Sequence, residues 1–369
     1  MKKRLFAPDA LRGLLMVLMA LDHANLFIAQ KHSSGEMWGG PFPVYDEALP
    51  FITRLVTHLA APGFFLLMGI GMALLAHARE KQGQTWWQIC RHFWIRGLLL
   101  IFLQVLIVNR AWELSPGGWG IKIYIGVLSA LGSTMIWGAL FWKLQPRYLL
   151  ILALVLFVGT ELLHPGPELW GQISQDPANV TVLRPGGTQQ LWSYYPFLPW
   201  LELVIFGMAL AKWLIADSDK AFSRMWKLGL IFLAAFVVIR APDGFGNIRP
   251  RMGNTWIDFL NTVKYPPSMT FTLMTTGMNL ILLWAFSKAK ERAQRILQPL
   301  TVFGRAPLFF YVLHLFLYVG IARLVTPNGT SIPAMLPFWL VGLVTLFPLC
   351  LWYGQFKHRQ PATSPLRFL

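Results

Sequence analysis

The chain has 369 residues, of which 55% are hydrophobic, 14% aromatic and 13% charged. A soluble domain carries about 25% charged residues, so this composition excludes a soluble globule of such length. The net charge of +16 belongs to no basic domain or aromatic-basic module, which excludes a nucleic-acid partner and reads as a signal of topology and lipid headgroups.

In chain order, apolar runs of about 20 residues, enough to cross a hydrocarbon core, fall near 11–30, 51–77, 92–109, 120–142, 148–164, 195–215, 225–241, 266–287, 306–324 and 333–354. Several begin at or just after Pro50, Pro196, Pro267, Pro307 and Pro333, and proline suits a first helical turn because its missing N–H needs no partner there. The basic start of the chain is followed by no small-residue cleavage site, so the first run is expected to stay as an anchor. With an inside N-terminus, 22 of the 32 Lys and Arg, among them Lys2, Lys3, Arg4 and Arg367, fall on the inner side, as the positive-inside rule requires. The expected fold is all-α: a polytopic transmembrane helical bundle of about ten spans, N-in/C-in, forming one domain over 1–369 in the inner (plasma) membrane. Cys90 and Cys350 give neither a disulfide framework nor metal spacing, and no metal is expected.

Ionisable residues inside a span cost several kcal/mol unless they face a cavity or a partner, which singles out a small set. Asp9 and Arg12 are three apart and can pair on one helix face. His23 lies eleven residues beyond Arg12, about 16 Å along a helix, while Asp22 points about 100° away from it. His58 lies about 10 Å into the second span, so His23 and His58 are expected at similar depth, sharing one wet pocket with Arg54 at its mouth. Arg305 opens the ninth span on the inner side, and His314 lies about 13–14 Å deeper. Glu202 is expected to bond exposed backbone near its helix start, and His32 lies in the first outer loop. Each has a structural reading too: a lone intramembrane histidine often only bonds a neighbouring helix, and arginines often anchor at the interface. Together, arginines at the inner mouths and histidines in the middle and outer half suit a path from an anionic inner donor to an outer acceptor. Outer tryptophans (Trp38, Trp170, Trp192, Trp256) suit stacking on sugar faces or interface anchoring.

Those residues lie in segments that resemble a known family. DALRGLLMVLMALDHAN, TRLVTHLAAPGFFLLMG, YPFLPWLELVIFGMALA, KYPPSMTFTLMTTG, FGRAPLFFYVLHLFL and the C-terminal FPLCLWYGQFKHRQ…PLRFL resemble the bacterial branch of the heparan-α-glucosaminide N-acetyltransferase-like membrane proteins, over nearly the whole chain and in the same order. The resemblance implies a transmembrane acyltransferase. Acetyl-CoA would be the acyl donor substrate, its nucleotide held near Arg305, Arg12 and Arg96, and an amine or hydroxyl of a sugar or glycan would be the acceptor. A histidine would act as general base or, alternatively, as an acyl-carrying nucleophile. His58 and His23 rank first for that role, with His314 matching the family's late YVxH-type segment and His32 aligning through KHSS. The expected partners are the acyl donor, the glycan acceptor and the lipid bilayer, with a homo-oligomer compatible. The rival readings are a proton-coupled transporter, with the histidines as relay, and a non-catalytic membrane scaffold.

Overall fold

In the computed structural model, which describes residues 5–33 and 35–360, helices dominate from end to end. Lys2, Lys3, Arg4 and Arg367 of the expected inner basic set, and the terminal PLRFL, lie outside the described residues. The helices are α1 (Phe6–Ala24), α2 (Ala48–Thr57), α3 (Ala60–Glu80), α4 (Trp86–Leu103), α5 (Asn109–Glu113), α6 (Val127–Gly138), α7 (Pro146–Leu162), α8 (Pro177–Val182), α9 (Phe197–Ala216), α10 (Ser218–Arg240), α11 (Trp256–Leu260), α12 (Met269–Ser287), α13 (Glu291–Ile296), α14 (Gln298–Arg305), α15 (Pro307–Val325) and α16 (Ile332–Arg359). Among the described residues, eight helical stretches are long and apolar enough to cross a membrane.

The chain is thus an all-α polytopic helical protein, but one of the ten expected spans is cut short. In place of 120–142 stands α6, with 12 residues. The preceding stretch is broken by Gly117, Gly118 and Gly120, all with positive φ, and forms the strand β1 (Ile123–Ile125). It joins a small sheet in the order β1-β3-β2 with β2 (Gly186–Gly187) and β3 (Leu191–Ser193). The run expected at 148–164 is present as α7, of equal length at 17 residues and begun two positions earlier at Pro146.

The starts and breaks of helices have local causes. Pro307 opens α15 and Pro333 lies in the first turn of α16. Ser268 caps α12 by accepting from the Phe271 N–H, and Asp217 caps α10 in the same way. The second span is broken between α2 and α3 at His58 and Leu59. Pro62, which cannot donate to a carbonyl four residues back and crowds it, accounts for that break at His58. Two π-helical turns, Asn25–Ala29 after α1 and Gln104–Val108 after α4, interrupt spans on the side where the histidines lie; such turns often mark functional sites.

Two apolar cores hold the bundle. One gathers α3, α6 and α9, and the other gathers α1, α15 and α16. Glycines permit the closest helix approaches, as small residues do between membrane helices. A Cβ on Gly13 of α1 would lie 1.8 Å from the Leu300 carbonyl oxygen of α14, and one on Gly304 would lie 2.0 Å from the Asp9 carbonyl oxygen. This contact seats α14 against α1, and with it Arg305 beside Arg12.

Candidate functional site: two recesses that meet at Tyr311

Two recesses enter the bundle from opposite ends of α1. The larger, at the α1 N-terminal end, has a volume of about 670 Å³. Arg12, Arg96, Arg305 and Lys357 line it, and among the described residues no Asp or Glu does. Its deeper walls are apolar, with Leu67, Met68 and Leu131 leading to Tyr311. Asp9 steadies the entrance from behind. It accepts from Arg12 Nη1 at 3.2 Å and from Arg305 Nε at 3.4 Å, and Arg12 also donates to the Gly304 carbonyl at 3.1 Å. The expected Asp9–Arg12 pair is therefore formed. Fixed guanidinium groups at the entrance of an apolar funnel suit a phosphate-bearing ligand with a long, less polar arm.

The smaller recess, at the α1 C-terminal end, has a volume of about 60 Å³. Asp22, His23 and His32 line it together with an aromatic wall that includes Tyr124, Tyr194, Tyr265 and Tyr311. Val127 and Tyr311 line both recesses.

The hydrogen bonds assign protons to the two histidines of this chamber. His314 Nδ1 lies 3.0 Å from the Phe310 carbonyl, which can only accept, so that nitrogen carries the proton. Its Nε2 is then an acceptor for His23 Nδ1 at 2.6 Å, which leaves His23 Nε2 with its lone pair in the neutral ring. On the opposite wall His32 Nε2 lies 3.3 Å from Asp22 Oδ2. The carboxylate takes that N–H and leaves Nδ1 as the acceptor, a buried atom with no partner among the described residues. Each ring is thus held by one nitrogen, with the other carrying its lone pair. They differ in surroundings, because only His32 has a carboxylate within hydrogen-bond reach.

Asp22 is itself held by three residues. Arg54 Nη1 donates to both its oxygens, at 2.7 and 3.0 Å, and the Thr57 hydroxyl donates at 2.5 Å. The other edge of Arg54 grips Glu36, with Nε and Nη2 each 2.6 Å from a carboxylate oxygen. His58 Nε2 and the Tyr45 hydroxyl approach the same Glu36 oxygen at 3.3 and 3.4 Å. One buried cation thus spans a buried carboxylate, Glu36, and a part-buried one, Asp22, as a charge this deep requires. Burial pushes the Glu36 carboxyl up, but Arg54 outweighs it and holds Glu36 well below the usual carboxylate range.

Several expectations change here. His23 and His58 do not share a pocket. His23 is bonded to His314, whereas His58, 1% exposed and no part of the chamber lining, faces Glu36. Arg54 is not at a mouth but fully enclosed, because it is sandwiched between Asp22 and Glu36. Glu202 bonds a side chain rather than backbone, accepting from the Thr272 hydroxyl of α12 at 3.0 Å. Trp38 is buried under Arg184 and donates to the Pro165 carbonyl, while Trp256 is exposed. Sequence reasoning missed Glu36 and the tyrosine wall. A glutamate in an outer loop and tyrosines in four separate segments carry no local sign that they converge.

These features define a polytopic helical membrane protein with an anion-seeking recess on one side and a histidine–carboxylate chamber on the other. A family model described as heparan-alpha-glucosaminide N-acetyltransferase, catalytic, matches residues 4–240, well over half of the chain, and the chain belongs to that family. Membership makes it a membrane protein of acetyltransferase type. The match includes Arg12, Asp22, His23, His32, Arg54, His58 and Arg96, whereas Arg305, Tyr311 and His314 lie beyond it. A search of curated proteins found no match.

Proposed function

We propose that this protein is a transmembrane acyltransferase of the plasma membrane. It would take an acetyl or related acyl group from acyl-CoA on the inner side and pass it to an amine or hydroxyl of a sugar or glycan on the outer side. The observation that carries the reading is that the arginine-lined recess and the histidine chamber, entering from opposite ends of α1, share Tyr311 and Val127. A donor with an anionic head and a long arm fits the first recess: phosphates at Arg12, Arg96 and Arg305, the pantetheine arm along the apolar walls, and the thioester at the junction.

In this reading His32 is the general base. Its Nδ1 accepts the proton of the attacking N–H or O–H, and Asp22 stabilises the imidazolium across Nε2. The nucleophile attacks the thioester carbonyl carbon, the tetrahedral intermediate collapses, the C–S bond breaks and the electron pair leaves on sulfur. His23 Nε2, fixed by His314, accepts a second hydrogen bond from the acceptor and orients it. His58 supports Glu36 and does not touch substrate.

The test uses purified full-length protein in detergent, with acetyl-CoA as donor and glucosamine as probe acceptor. Wild type is expected to bind acetyl-CoA and transfer the acetyl group. Arg305→Ala is expected to weaken donor binding about tenfold, the loss of one charge-assisted phosphate contact. His32→Ala is expected to bind donor normally and lose transfer by about 10²–10⁴-fold. If folded wild type binds no acyl-CoA, the donor half fails and the transporter or scaffold reading replaces it. If His23→Ala rather than His32→Ala abolishes transfer, the roles of the two rings are exchanged.

A further inference from the structure

Tyr311 has a place that the mechanism above leaves unused. It lies on α15, one helical turn before His314, in the segment YVLH. Its ring packs edge-on against His23, with centroids 6.4 Å apart at 81°, and against His314, 5.6 Å apart at 70°. Both recesses are lined by it. The side chain is 6% exposed, yet among the described residues its hydroxyl has no hydrogen-bond partner. The hydroxyl oxygen is not among the enclosed unpaired atoms, so it is open to the recesses that the residue lines. The other residue common to both recesses, Val127, carries no side-chain donor.

We propose that the Tyr311 hydroxyl is a catalytic hydrogen-bond donor to the thioester carbonyl oxygen, stabilising the oxyanion that forms when the acceptor attacks. The proposal rests on the acyltransferase reading and names a residue for a task that reading leaves open. A thioester passing from the arginine side to the histidine side must present its carbonyl at the junction. There the tyrosine is the side chain that can donate to it while the histidines face the nucleophile. As the carbon–nitrogen or carbon–oxygen bond forms, the carbonyl π pair moves onto oxygen and the hydrogen bond that the Tyr311 hydroxyl donates to it strengthens. When the pair returns, the C–S bond breaks and the thiolate leaves. Tyr311 gives up no proton in either step, so the phenol begins and ends the cycle unchanged. Packing against both imidazoles fixes its ring, which satisfies the requirement that such a donor be preorganised rather than recruited. The YVLH segment then supplies two aligned parts on one face of α15, the donor for the oxyanion and the histidine that holds His23.

Tyr311→Phe tests the assignment, because it keeps the ring and its contacts with both histidines and removes only the hydroxyl. Infrared difference spectra of acetyl-CoA labelled with ¹³C at the carbonyl, bound to full-length protein in detergent, report directly on polarisation of that bond and need no acceptor. In wild type the bound carbonyl stretch is expected to shift to lower frequency than in solution, and in Tyr311→Phe that shift is expected to be lost. Acetyl transfer to glucosamine should fall by about 10²–10³-fold, the usual loss for one oxyanion donor, with donor affinity unchanged. A donor analogue with a thioether in place of the thioester should bind wild type and variant equally. An identical carbonyl frequency in the two proteins overturns the assignment, as does unchanged turnover. A variant that loses thioether binding as well shows a packing role and overturns it too. If wild type binds neither thioester nor thioether, the acyltransferase reading falls and takes this proposal with it.

Discussion

Asp22 meets three donors at once, from Arg54, Thr57 and His32, and in the proposed mechanism its charge rather than its shape is what matters. Asp22→Asn keeps the volume and loses the anion that would stabilise a protonated His32. Transfer should fall by about 10²–10⁴-fold while acetyl-CoA binding is retained, by analogy with removing the carboxylate from an oriented histidine. Loss of donor binding along with transfer would instead show that the network holds the fold of the donor recess. Glu36 has a different consequence. Its carboxyl is held well below the usual range in the folded protein, so it stays ionised down to lower pH when folded than when unfolded. The stability it contributes is fully present above the unfolded carboxylate value and disappears as pH falls through the folded one. Glu36→Gln should therefore lower stability by about 3 kcal/mol at pH 7, the cost of leaving Arg54 half-paired, and the gap to wild type should close toward strongly acid pH. A gap that stays constant with pH in melting curves would show that Glu36 acts by packing alone. None of this was legible from sequence: Asp22 and Arg54 stood out as ionisable residues in apolar runs, but Glu36 stands in a polar loop where a glutamate draws no attention.

At the scale of elements, the contact between α1 and α14 sets the entrance of the arginine-lined recess. Gly304→Ala would place a methyl 2.0 Å from the Asp9 carbonyl oxygen, backbone that cannot swing aside. Overpacking of this kind costs about 1–3 kcal/mol. Because α14 ends at Arg305 and Asp9 lies one turn before Arg12, the shift should also weaken acetyl-CoA binding. Gly320→Ala on α15, where a Cβ would meet nothing within 4 Å, serves as the control and should leave both melting temperature and binding unchanged. Equal effects from the two variants would show that helix propensity, not close approach, governs this face. Apolar length made most helices legible. The failure at α6 arose because the glycine-broken run before it pairs as a strand. The break at His58 has its cause in Pro62, four residues on.

For the whole molecule, the bias of basic residues predicts which recess faces which compartment. In a cysteine-free background, Asp46→Cys in the loop before α2 should react with a membrane-impermeant thiol reagent in intact cells. Lys290→Cys, between α12 and α13, should react only after permeabilisation. Both positions are exposed. The reverse pattern would turn the arginine-lined recess outward and remove its access to a cytoplasmic donor. By itself the sequence determined the class of protein, most of the long helices, the basic asymmetry and the short set of arginines and histidines. Each of those depends on composition or on spacing along one segment, where the cost of burying charge in lipid narrows the choices. Only the tertiary structure decided which histidine meets which partner. His23 and His314 stand 291 positions apart, and Arg54 reaches Asp22 and Glu36 across 32 and 18 positions. Such pairings are set by how the helices pack around one another, and no periodicity within a single helix records them.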